Sequence, residues 1–341
     1  MTAAPDPARI IQTGLGFWTS KTLLSAVELG LFGILGDKAL TGAELTKALH
    51  LHERANPDFY DALLASGLLE RDGDGPAARY RNTAETAMFL DRAKPSYVGG
   101  ILEMANSRLF PFWAHLTEAL KSGKPQSETK NGGQSFFGAL YANPERLEQF
   151  VEAMSGVSTG NFMALAEKFD FSKYKHLCDV GGAGGILSIM VASRHKHMSC
   201  ISADLPMVSA IAKKKIARFG LADRIETRNV DFFKDPLPKA DVITMGMILH
   251  DWDLENKMML IRKVYDALPE GGAFIAVEAL IDDARRQNAF GLMMSLNMLI
   301  EFGVAFDYTG ADFSRWCKEV GFKRTEIIPL AGPASAAVAY K

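Results

Sequence analysis

The sequence predicts a mainly helical N-terminal part followed by a doubly wound α/β domain. Its 341 residues, 48% hydrophobic and 23% charged, are enough for two domains with full cores. Apolar residues recur at helical spacing in the first half, whereas short apolar strands alternate with helices from about Lys175 onward. Such alternation predicts a mainly parallel sheet covered on both faces. We predict three segments, 1–94, 95–170 and 171–341.

The first segment has the element order of a winged helix. Apolar positions at helical spacing over 7–36 predict core-forming helix, and Thr41 with Glu44 three residues later predicts a capping box. A second helix is expected over 56–66, and 68–83 is typical of two short strands around a glycine-rich turn. This shape does not by itself indicate a function.

Charge argues against nucleic-acid binding. Residues 1–94 contain ten Lys/Arg and twelve Asp/Glu, and the whole chain has a formal charge of −2. A DNA-binding module should be clearly basic. The start of the chain lacks a signal-peptide pattern, and no run of eighteen apolar residues follows. We therefore expect a cytoplasmic protein that binds neither nucleic acid nor membrane.

Two long helices and two polar features complete the local predictions. Helices are expected around 96–121 and 143–168, and the polar stretch 121–135 is interpreted as a surface loop. The run Lys213–Lys215 is interpreted as a solvated helix face. Three cysteines without a CxxC pair predict reduced thiols rather than a disulfide or zinc site.

Acidic and glycine residues recur where the predicted strands end. Ligands of parallel α/β sheets bind beyond the carboxyl ends of the strands. The residues at these positions are the segment Asp179–Gly185, Asp204 with Leu205, Asp231 with Phe232, His250 with Asp251, and Glu278.

The glycine-rich segment favours a nucleoside ligand without a phosphate. Four glycines among residues 181–185 permit close backbone approach, but Leu187 stands where the dinucleotide fingerprint needs a third glycine. Asp204 follows Gly184 by twenty residues, a spacing typical of a carboxylate that binds ribose hydroxyls. Asp179 would repel a pyrophosphate, whereas the cationic sulfonium of S-adenosylmethionine suits an acidic strand end.

The motifs DVGGAGG, ADLP, VDFF, ILHDW, ALPEGG and VEAL, in this order, resemble the plant-type and bacterial small-molecule O-methyltransferase family. The resemblance covers nearly the whole chain. It implies a winged-helix-like dimerisation domain, a helical region that contributes to the dimer and the acceptor pocket, and a Rossmann-like class I methyltransferase domain. That domain has a seven-stranded sheet whose last strand is antiparallel. The implied cofactor is S-adenosyl-L-methionine, and the implied assembly is a homodimer.

Carried over by position, the resemblance assigns the cofactor site. The glycine segment would face the methionine part, Asp204 the ribose, and Asp231 with Phe232 the adenine. Plant members have a lysine where this chain has Gly246, so that contact is missing or replaced. The predicted cofactor-binding residues are Asp179, Gly181, Gly182, Gly184, Asp204, Leu205, Asp231, Phe232 and Gly246.

The resemblance also implies His250 as general base, supported by Glu278 and Asp307. Asp307 falls where the family usually has a glutamate, within a segment that departs from the family pattern. A histidine with a pKa of about 6.5 can accept the proton of a phenol with a pKa of about 10 as its oxygen attacks. The alternative is a helix-start histidine beside an N-capping Asp251. No histidine follows His250, so we expect no metal.

The methionine-rich stretch 292–300 predicts a helix near the acceptor. In the resembling family the corresponding helix lines the acceptor site, which makes Met294, Asn297 and Met298 candidate acceptor contacts, although such a stripe is more often core. Phe110, Phe112 and Trp113 are similar candidates, with dimer-core packing as the alternative.

The predicted function is O-methylation of a hydroxyl on a small aromatic acceptor. C- or N-methylation on the same scaffold is the enzymatic alternative, and product analysis separates the two. A ligand-sensing regulatory protein would bind DNA, which the acidic N-terminal part argues against. A nicotinamide dehydrogenase would need the third glycine that Leu187 replaces.

Overall fold

The computed structural model describes residues 5–94, 96–131 and 136–341. The chain forms two compact units, Met1–Pro111 and Phe112–Lys341. The predicted region 95–170 is shared between these units, and the three-segment division stays a prediction. No helix in the described part of the chain is both long and apolar enough to cross a membrane.

Short helices and a small antiparallel sheet make up the first unit. The sheet has the order β1-β3-β2. The elements are α1 (Ala8–Gly14), α2 (Gly16–Glu28), α3 (Leu31–Leu35), β1 (Leu40–Thr41), α4 (Gly42–Ala48), α5 (Asp58–Ala65), β2 (Leu69–Asp72), β3 (Arg79–Asn82), α6 (Ala84–Phe89), α7 (Gly99–Met104) and the π-helical turn Ala105–Leu109.

Several local predictions for this unit are confirmed. Thr41 and Glu44 form the capping box, because the Thr41 amide donates to the Glu44 carboxylate at 2.7 Å and the Glu44 amide donates to Thr41 Oγ1 at 3.3 Å. Strands β2 and β3 flank the predicted turn. The predicted helical stretch 7–36 is divided into three helices, and Gly30, at φ +73°, separates the last two.

The first unit has its own core and an apolar surface outside it. Helices α2 to α5 bury Leu31, Phe32, Leu45 and Tyr60 against one another. Helix α1 buries no residue at all. Four large apolar side chains of α1 and α2 are 52–76% exposed, namely Ile10, Ile11, Phe17 and Trp18.

The second unit alternates strands and helices. Helix α8 (Phe110–Trp113) crosses the boundary between the units. The elements that follow are α9 (Leu116–Ser122), α10 (Phe136–Tyr141), α11 (Pro144–Lys168), β4 (His176–Val180), α12 (Ile186–Arg194), β5 (Ser199–Asp204), α13 (Pro206–Arg218), β6 (Ile225–Asn229), β7 (Val242–Gly246), α14 (Leu254–Ala267), β8 (Ala273–Glu278), α15 (Ala289–Phe302), α16 (Gly310–Val320), β9 (Arg324–Pro329) and β10 (Ser335–Tyr340).

Seven strands form one sheet in the order β6-β5-β4-β7-β8-β10-β9. Strand β10 runs antiparallel to β8 and β9, whereas β4, β5, β6, β7 and β8 run parallel to one another. Strand β8 is buried along its whole length because apolar clusters cover both faces. This confirms the predicted α/β class and the antiparallel last strand. The carboxyl ends of β4 to β8 therefore share one edge.

The prediction of a surface loop over 121–135 is wrong in part. Gln126 and Ser127 are buried, with 3% and 4% exposure. The Gln126 amide donates to the Ile300 carbonyl at 2.7 Å, and the Ser127 hydroxyl donates to the Glu301 carbonyl at 2.8 Å. Carbonyls in the last turn of a helix lack partners within the helix, so these two residues satisfy the end of α15. Residues 132–135 lie outside the described chain.

Candidate active site

The glycine segment follows β4 and is fastened to the end of β5. The amides of Gly181 and Gly182 donate to the Ala203 carbonyl at 2.9 and 3.1 Å. Gly181 has φ +72°, and a Cβ at that position would overlap the Ile248 side chain. A Cβ on Gly182 would lie 2.5 Å from Ser202 Oγ. Glycine is therefore required here by packing as well as by conformation, and it leaves a cradle that a side chain would fill.

Asp204 joins this segment to β5. Its carboxylate accepts hydrogen bonds from the amides of Ala183 at 2.9 Å and Leu205 at 2.7 Å. Burial raises the pKa of Asp204 to about 6, and the two amides oppose that rise. Asp204, the residue predicted to bind the ribose, thus lies directly beside the glycine segment that is predicted to face the methionine part of the cofactor. Its role as a ribose ligand stays a prediction.

Asp179 is an internal link between β4 and β7. It is 3% exposed and accepts a hydrogen bond from Thr244 Oγ1 at 2.8 Å. Burial raises the pKa of Asp179 to about 7, against the effect of the Thr244 hydrogen bond and with a smaller contribution from Asp204. The hydrogen bond joins β4 to β7, and a contact of Asp179 with the cofactor stays a prediction.

Three aromatic rings form a wall beyond β6. The ring centroids of Phe232 and Phe233 are 4.8 Å apart, and those of Phe233 and Trp252 are 4.6 Å apart. Asp231 accepts a hydrogen bond from the Phe233 amide at 3.0 Å and pairs with Lys234 at 2.9 Å. Lys234 holds the pKa of Asp231 below its usual value. The rings are tilted or perpendicular to one another, and this aromatic surface beside a carboxylate leaves the adenine site a prediction.

Gly246 ends β7 against the ring of Phe162. A Cβ on Gly246 would lie 3.0 Å from Phe162 Cζ, and Phe162 of α11 is 7% exposed. The ring of Phe162 from α11 thus fills the space beside Gly246, the position where plant members have a lysine. Nothing in the sequence indicated Phe162.

The predicted solvated face is confirmed for Lys213 and Lys214, which are exposed, and is wrong for Lys215. Lys215 is 9% exposed, and its ammonium pairs with Glu152 of α11 at 2.9 Å. A Cβ on Gly184 would lie 3.3 Å from Lys215 Nζ. This lysine therefore packs beside the glycine segment rather than on a solvated face.

His250 lies in a short turn between β7 and α14, together with Leu249 and Asp251. Met247, which precedes the turn, has φ +57°, a backbone conformation that costs a non-glycine residue on the order of 1–3 kcal/mol. The imidazole is buried, with His250 4% exposed. Its Nδ1 lies 3.3 Å from Asp307 Oδ1, and its Nε2 lies 3.4 Å from Asp251 Oδ1. Both ring nitrogens therefore face carboxylates.

Glu278 fixes the same turn from the end of β8. It is 1% exposed, and its Oε1 accepts a hydrogen bond from the Leu249 amide at 3.1 Å. The N-cap alternative for Asp251 is wrong, because Asp253 caps α14 by accepting from the Asn256 amide at 2.9 Å. Asp251 is thus a group of the site that our sequence reasoning did not assign.

Carboxylates determine the protonation of His250. Burial lowers its pKa, but the nearby charges of Glu278, Asp251 and Asp307 raise it to about 10. Burial also raises the pKa of Glu278 to about 7 and that of Asp251 to about 6, against the effect of His250. The imidazole is consequently cationic near neutral pH and becomes a strong proton acceptor once it is neutral.

The same group has donor atoms of the kind that bind metal ions. One donor atom each from His250, Glu278 and Asp307 lies within 4.8 Å of the others. The buried ammonium of Lys257 interacts electrostatically with Glu278, Asp307 and Asp251. The group is thus equally suited to proton transfer, and the absence of a metal stays a prediction.

Lys257 itself was missed by the sequence reasoning. It has no exposed surface, its Nζ donates a hydrogen bond to the Trp252 carbonyl, and the Nζ lies 3.6 Å from the ring centroid of Phe306. A signal was present in the sequence, because Lys257 precedes Leu260, Ile261 and Val264 at the spacing of one helix face. Those three residues are fully buried.

Helix α15 joins the acceptor candidates to Asp307. The Asn297 side chain is 7% exposed, accepts a hydrogen bond from Trp113 Nε1 at 2.9 Å and donates to Glu301 at 3.4 Å. The Asp307 amide donates to Ser295 Oγ of the same helix at 3.2 Å. Met298 is 4% exposed and Met294 is half-buried. Acceptor contacts by Met294, Asn297 and Met298 stay predictions.

Two family models match most of the chain. An O-methyltransferase domain matches residues 113–323, and an O-methyltransferase dimerisation domain matches residues 11–92. The chain is 39% identical to the tetracenomycin polyketide synthesis 8-O-methyl transferase TcmO of Streptomyces glaucescens, over 100% of this chain and 98% of that protein. It is 32% identical to the N,N-dimethyltransferase OxyT of Streptomyces rimosus, over 92% of this chain and 90% of that protein.

A solved structure is also similar over the full length. Human N-acetylserotonin methyltransferase in complex with S-adenosylmethionine has a TM-score of 0.91 and 27% identity, with 100% of this chain and 99% of that chain covered. The strand-end glycine cradle, the buried histidine and the matched domains lead to one conclusion. The chain belongs to the S-adenosylmethionine-dependent O-methyltransferases that combine a dimerisation domain with a class I methyltransferase domain.

Proposed function

We propose that this enzyme methylates a phenolic hydroxyl of a small aromatic acceptor, with His250 as the general base. The observation that carries the proposal is the buried imidazole, whose Nδ1 faces Asp307 at 3.3 Å, at the sheet edge that also holds the glycine cradle. Bound S-adenosylmethionine supplies an electrophilic methyl group. Aligning the acceptor oxygen with that group is the main task of the protein.

The residues around His250 have separate roles in proton transfer. Asp307 orients the ring through Nδ1, and Glu278 fixes the turn through the Leu249 amide. With Nδ1 assigned to Asp307, Nε2 is the nitrogen that would accept the acceptor's proton, with Asp251 3.4 Å from it. The carboxylates then stabilise the imidazolium, as they do in other histidine–carboxylate pairs. Proton transfer of this kind contributes roughly 10²–10⁴ in rate.

N-methylation is the second candidate. The similarity to an N,N-dimethyltransferase favours it, and the carboxylates near His250 would also attract a cationic amine. An ammonium group must lose its proton before it can attack a methyl group, so a base is useful in either reaction. The similarity to a polyketide 8-O-methyl transferase supports the hydroxyl as the first choice.

Transfer of labelled methyl from S-adenosylmethionine to phenols, amines and activated carbons tests the proposal. We expect phenol methylation to fall roughly 10²–10⁴-fold in His250→Ala, with cofactor affinity nearly unchanged. His176→Ala is the matched control, because His176 lies at the opposite end of β4 and contacts Ser199 at 2.8 Å. Adding a metal chelator to the wild-type assay should leave the rate of methyl transfer unchanged.

Other outcomes of this experiment would contradict the general base, the hydroxyl acceptor or the enzymatic activity. Phenol methylation that survives His250→Ala would remove the general base and leave alignment alone. Methylated amines without methylated phenols would establish N-methylation. Cofactor binding without turnover of any acceptor would support a ligand-binding protein.

The proposed assembly is a homodimer. The dimerisation-domain match spans residues 11–92, and α1 and α2 expose Ile10, Phe17 and Trp18 within or beside it. Clustered large apolar side chains on a surface generally mark an interface. A second copy of the chain would cover them symmetrically.

A further inference from the structure

A lysine with no exposed surface lies beside the proposed base. Lys257 is 0% exposed, although lysine is almost never fully buried without a partner. Its ammonium donates to the Trp252 carbonyl and lies 3.6 Å from the Phe306 ring centroid and 5.9 Å from that of Tyr308. None of these contacts is a paired carboxylate, so the cost of burying the charge must be offset more widely.

The offset comes from four carboxylates that interact electrostatically with the lysine, whose contacts Trp252, Phe306 and Tyr308 directly adjoin Asp251 and Asp307 in the chain. Glu278 ends β8, Asp307 precedes α16, Asp251 lies in the turn of His250, and Asp253 caps α14. Burial lowers the pKa of Lys257 to about 8 while these carboxylates oppose the change. The ammonium is thus mainly charged at neutral pH.

A charge count shows what the lysine does. Glu278, Asp251 and Asp307 surround one imidazole, and the buried Glu301 of α15 adds a fourth carboxylate that interacts with Asp251. These groups leave an excess of negative charge even when His250 is protonated. Excess negative charge in a buried site binds protons more tightly. A second positive charge reduces that affinity and keeps the carboxylates ionised.

We propose that Lys257 is a positioning residue for the His250 site, where its buried ammonium holds the Trp252 carbonyl and balances the carboxylates around the imidazole. The proposal rests on the proposed role of His250 as base. Lys257 acts through other residues and has no assigned contact with acceptor or cofactor. Its removal should raise the pH at which the group around His250 releases its proton.

Three variants separate charge from hydrogen bonding. Lys257→Met removes both, Lys257→Gln removes the charge and retains a donor for Trp252, and Lys257→Arg retains the charge. Arg262→Met is the matched control, because Arg262 is on the same helix and donates to the Val320 carbonyl at 2.6 Å without facing the carboxylates. If Lys257→Met fails to fold, Lys257→Gln carries the same test.

Two readouts are needed, and only one depends on turnover. The first is the titration of the His250 ring by NMR in protein with labelled histidine, assigned by comparison with His250→Ala. The second is the pH profile of kcat/KM with a phenol acceptor. A neutralised charge near a titrating group shifts its pKa by about one unit, so Lys257→Met and Lys257→Gln should move both curves to higher pH.

The size of the effect should depend on pH. A shift of about one unit lowers kcat/KM about tenfold near pH 7.5. Above about pH 9 the wild type loses its own Lys257 charge, since the pKa of that lysine is about 8, and the profiles should converge. Lys257→Arg should shift the curves less than half as far, and Arg262→Met should not shift them.

The contrary outcomes are distinct. A fall in kcat/KM with unchanged titration and pH profile, or a shift in Lys257→Met that is absent in Lys257→Gln, would reduce Lys257 to an anchor for Trp252. A shifted NMR titration in an enzyme whose turnover survives His250→Ala would overturn the general base while the charge balance stands.

Discussion

His250 shows how burial and charge compete at a single side chain. Burial alone would make the imidazole neutral, yet the carboxylates of Glu278, Asp251 and Asp307 raise its pKa to about 10. That value is close to the pKa of about 10 of an ordinary phenol, so proton transfer between them is nearly balanced in energy. The cost is that the base form is scarce at neutral pH.

We expect kcat/KM for a phenol acceptor to rise with pH from about 7 toward 10. The reason is the sign of the shift: His250 is protonated below its raised pKa of about 10, so the neutral fraction grows tenfold per pH unit until that value. Asp307→Asn removes a group that raises this pKa, and the profile should move to lower pH. This direction is opposite to that expected for Lys257→Met.

The measurement is the initial rate of methyl transfer across pH, with Asp266→Asn on the exposed side of α14 as control. A profile that is flat between pH 7 and 9 in the wild type would contradict the assignment. So would a shift of Asp307→Asn to higher pH.

At the scale of elements, strand ends and the turns that follow them carry the site. The glycine segment is fixed by hydrogen bonds to Ala203 and Asp204 of β5, and the turn of His250 is fixed by Glu278 of β8. Each turn therefore depends on a neighbouring strand rather than on its own sequence. Because the glycine segment packs closely against β5, a single added methyl group at Gly182 should affect stability.

We expect Gly182→Ala to lower the free energy of unfolding by about 1–3 kcal/mol and to weaken cofactor binding. The added Cβ would lie 2.5 Å from Ser202 Oγ and 3.1 Å from Asp179 Oδ2. Ser202→Ala removes the nearer atom, so Gly182→Ala/Ser202→Ala should recover part of the loss. Urea unfolding and calorimetric titration with S-adenosylmethionine measure both effects. Equal losses in the single and double variants would show that Ser202 is not the obstacle.

At the scale of the whole molecule, the apolar surface of the N-terminal helices is the feature that calls for a partner. Ile10 is 76% exposed and Trp18 is 60% exposed, while the core of that unit is already complete. Surface of this kind lowers solubility unless a second chain covers it. The homodimer that we propose would do so.

Trp18→Asp should convert the dimer into a monomer or weaken it strongly, because burying a carboxylate in an apolar interface is costly. Light scattering after gel filtration distinguishes one from two chains of 37.3 kDa. Phe219→Asp is the control, since Phe219 is 52% exposed but lies outside the dimerisation-domain match. A wild type that is monomeric at micromolar concentration would contradict the homodimer.

Sequence by itself determined the features that depend on neighbours along the chain. Alternation of strands and helices indicated the α/β class, the Thr41 capping box was readable from its spacing, and the strand-end motifs located the glycine segment and His250. These signals are local because a strand, a cap and a tight turn are each built from a few consecutive residues.

Tertiary structure alone decided which distant groups meet. It placed Asp251 and Asp307 on opposite nitrogens of His250, the ring of Phe162 against Gly246, and the amide of Asn297 against Trp113. It also buried Lys257, whose charge interacts with the carboxylates of Glu278, Asp307, Asp251 and Asp253. Contacts between residues far apart in the chain depend on how helices pack on the sheet, and a single sequence carries no direct record of that packing.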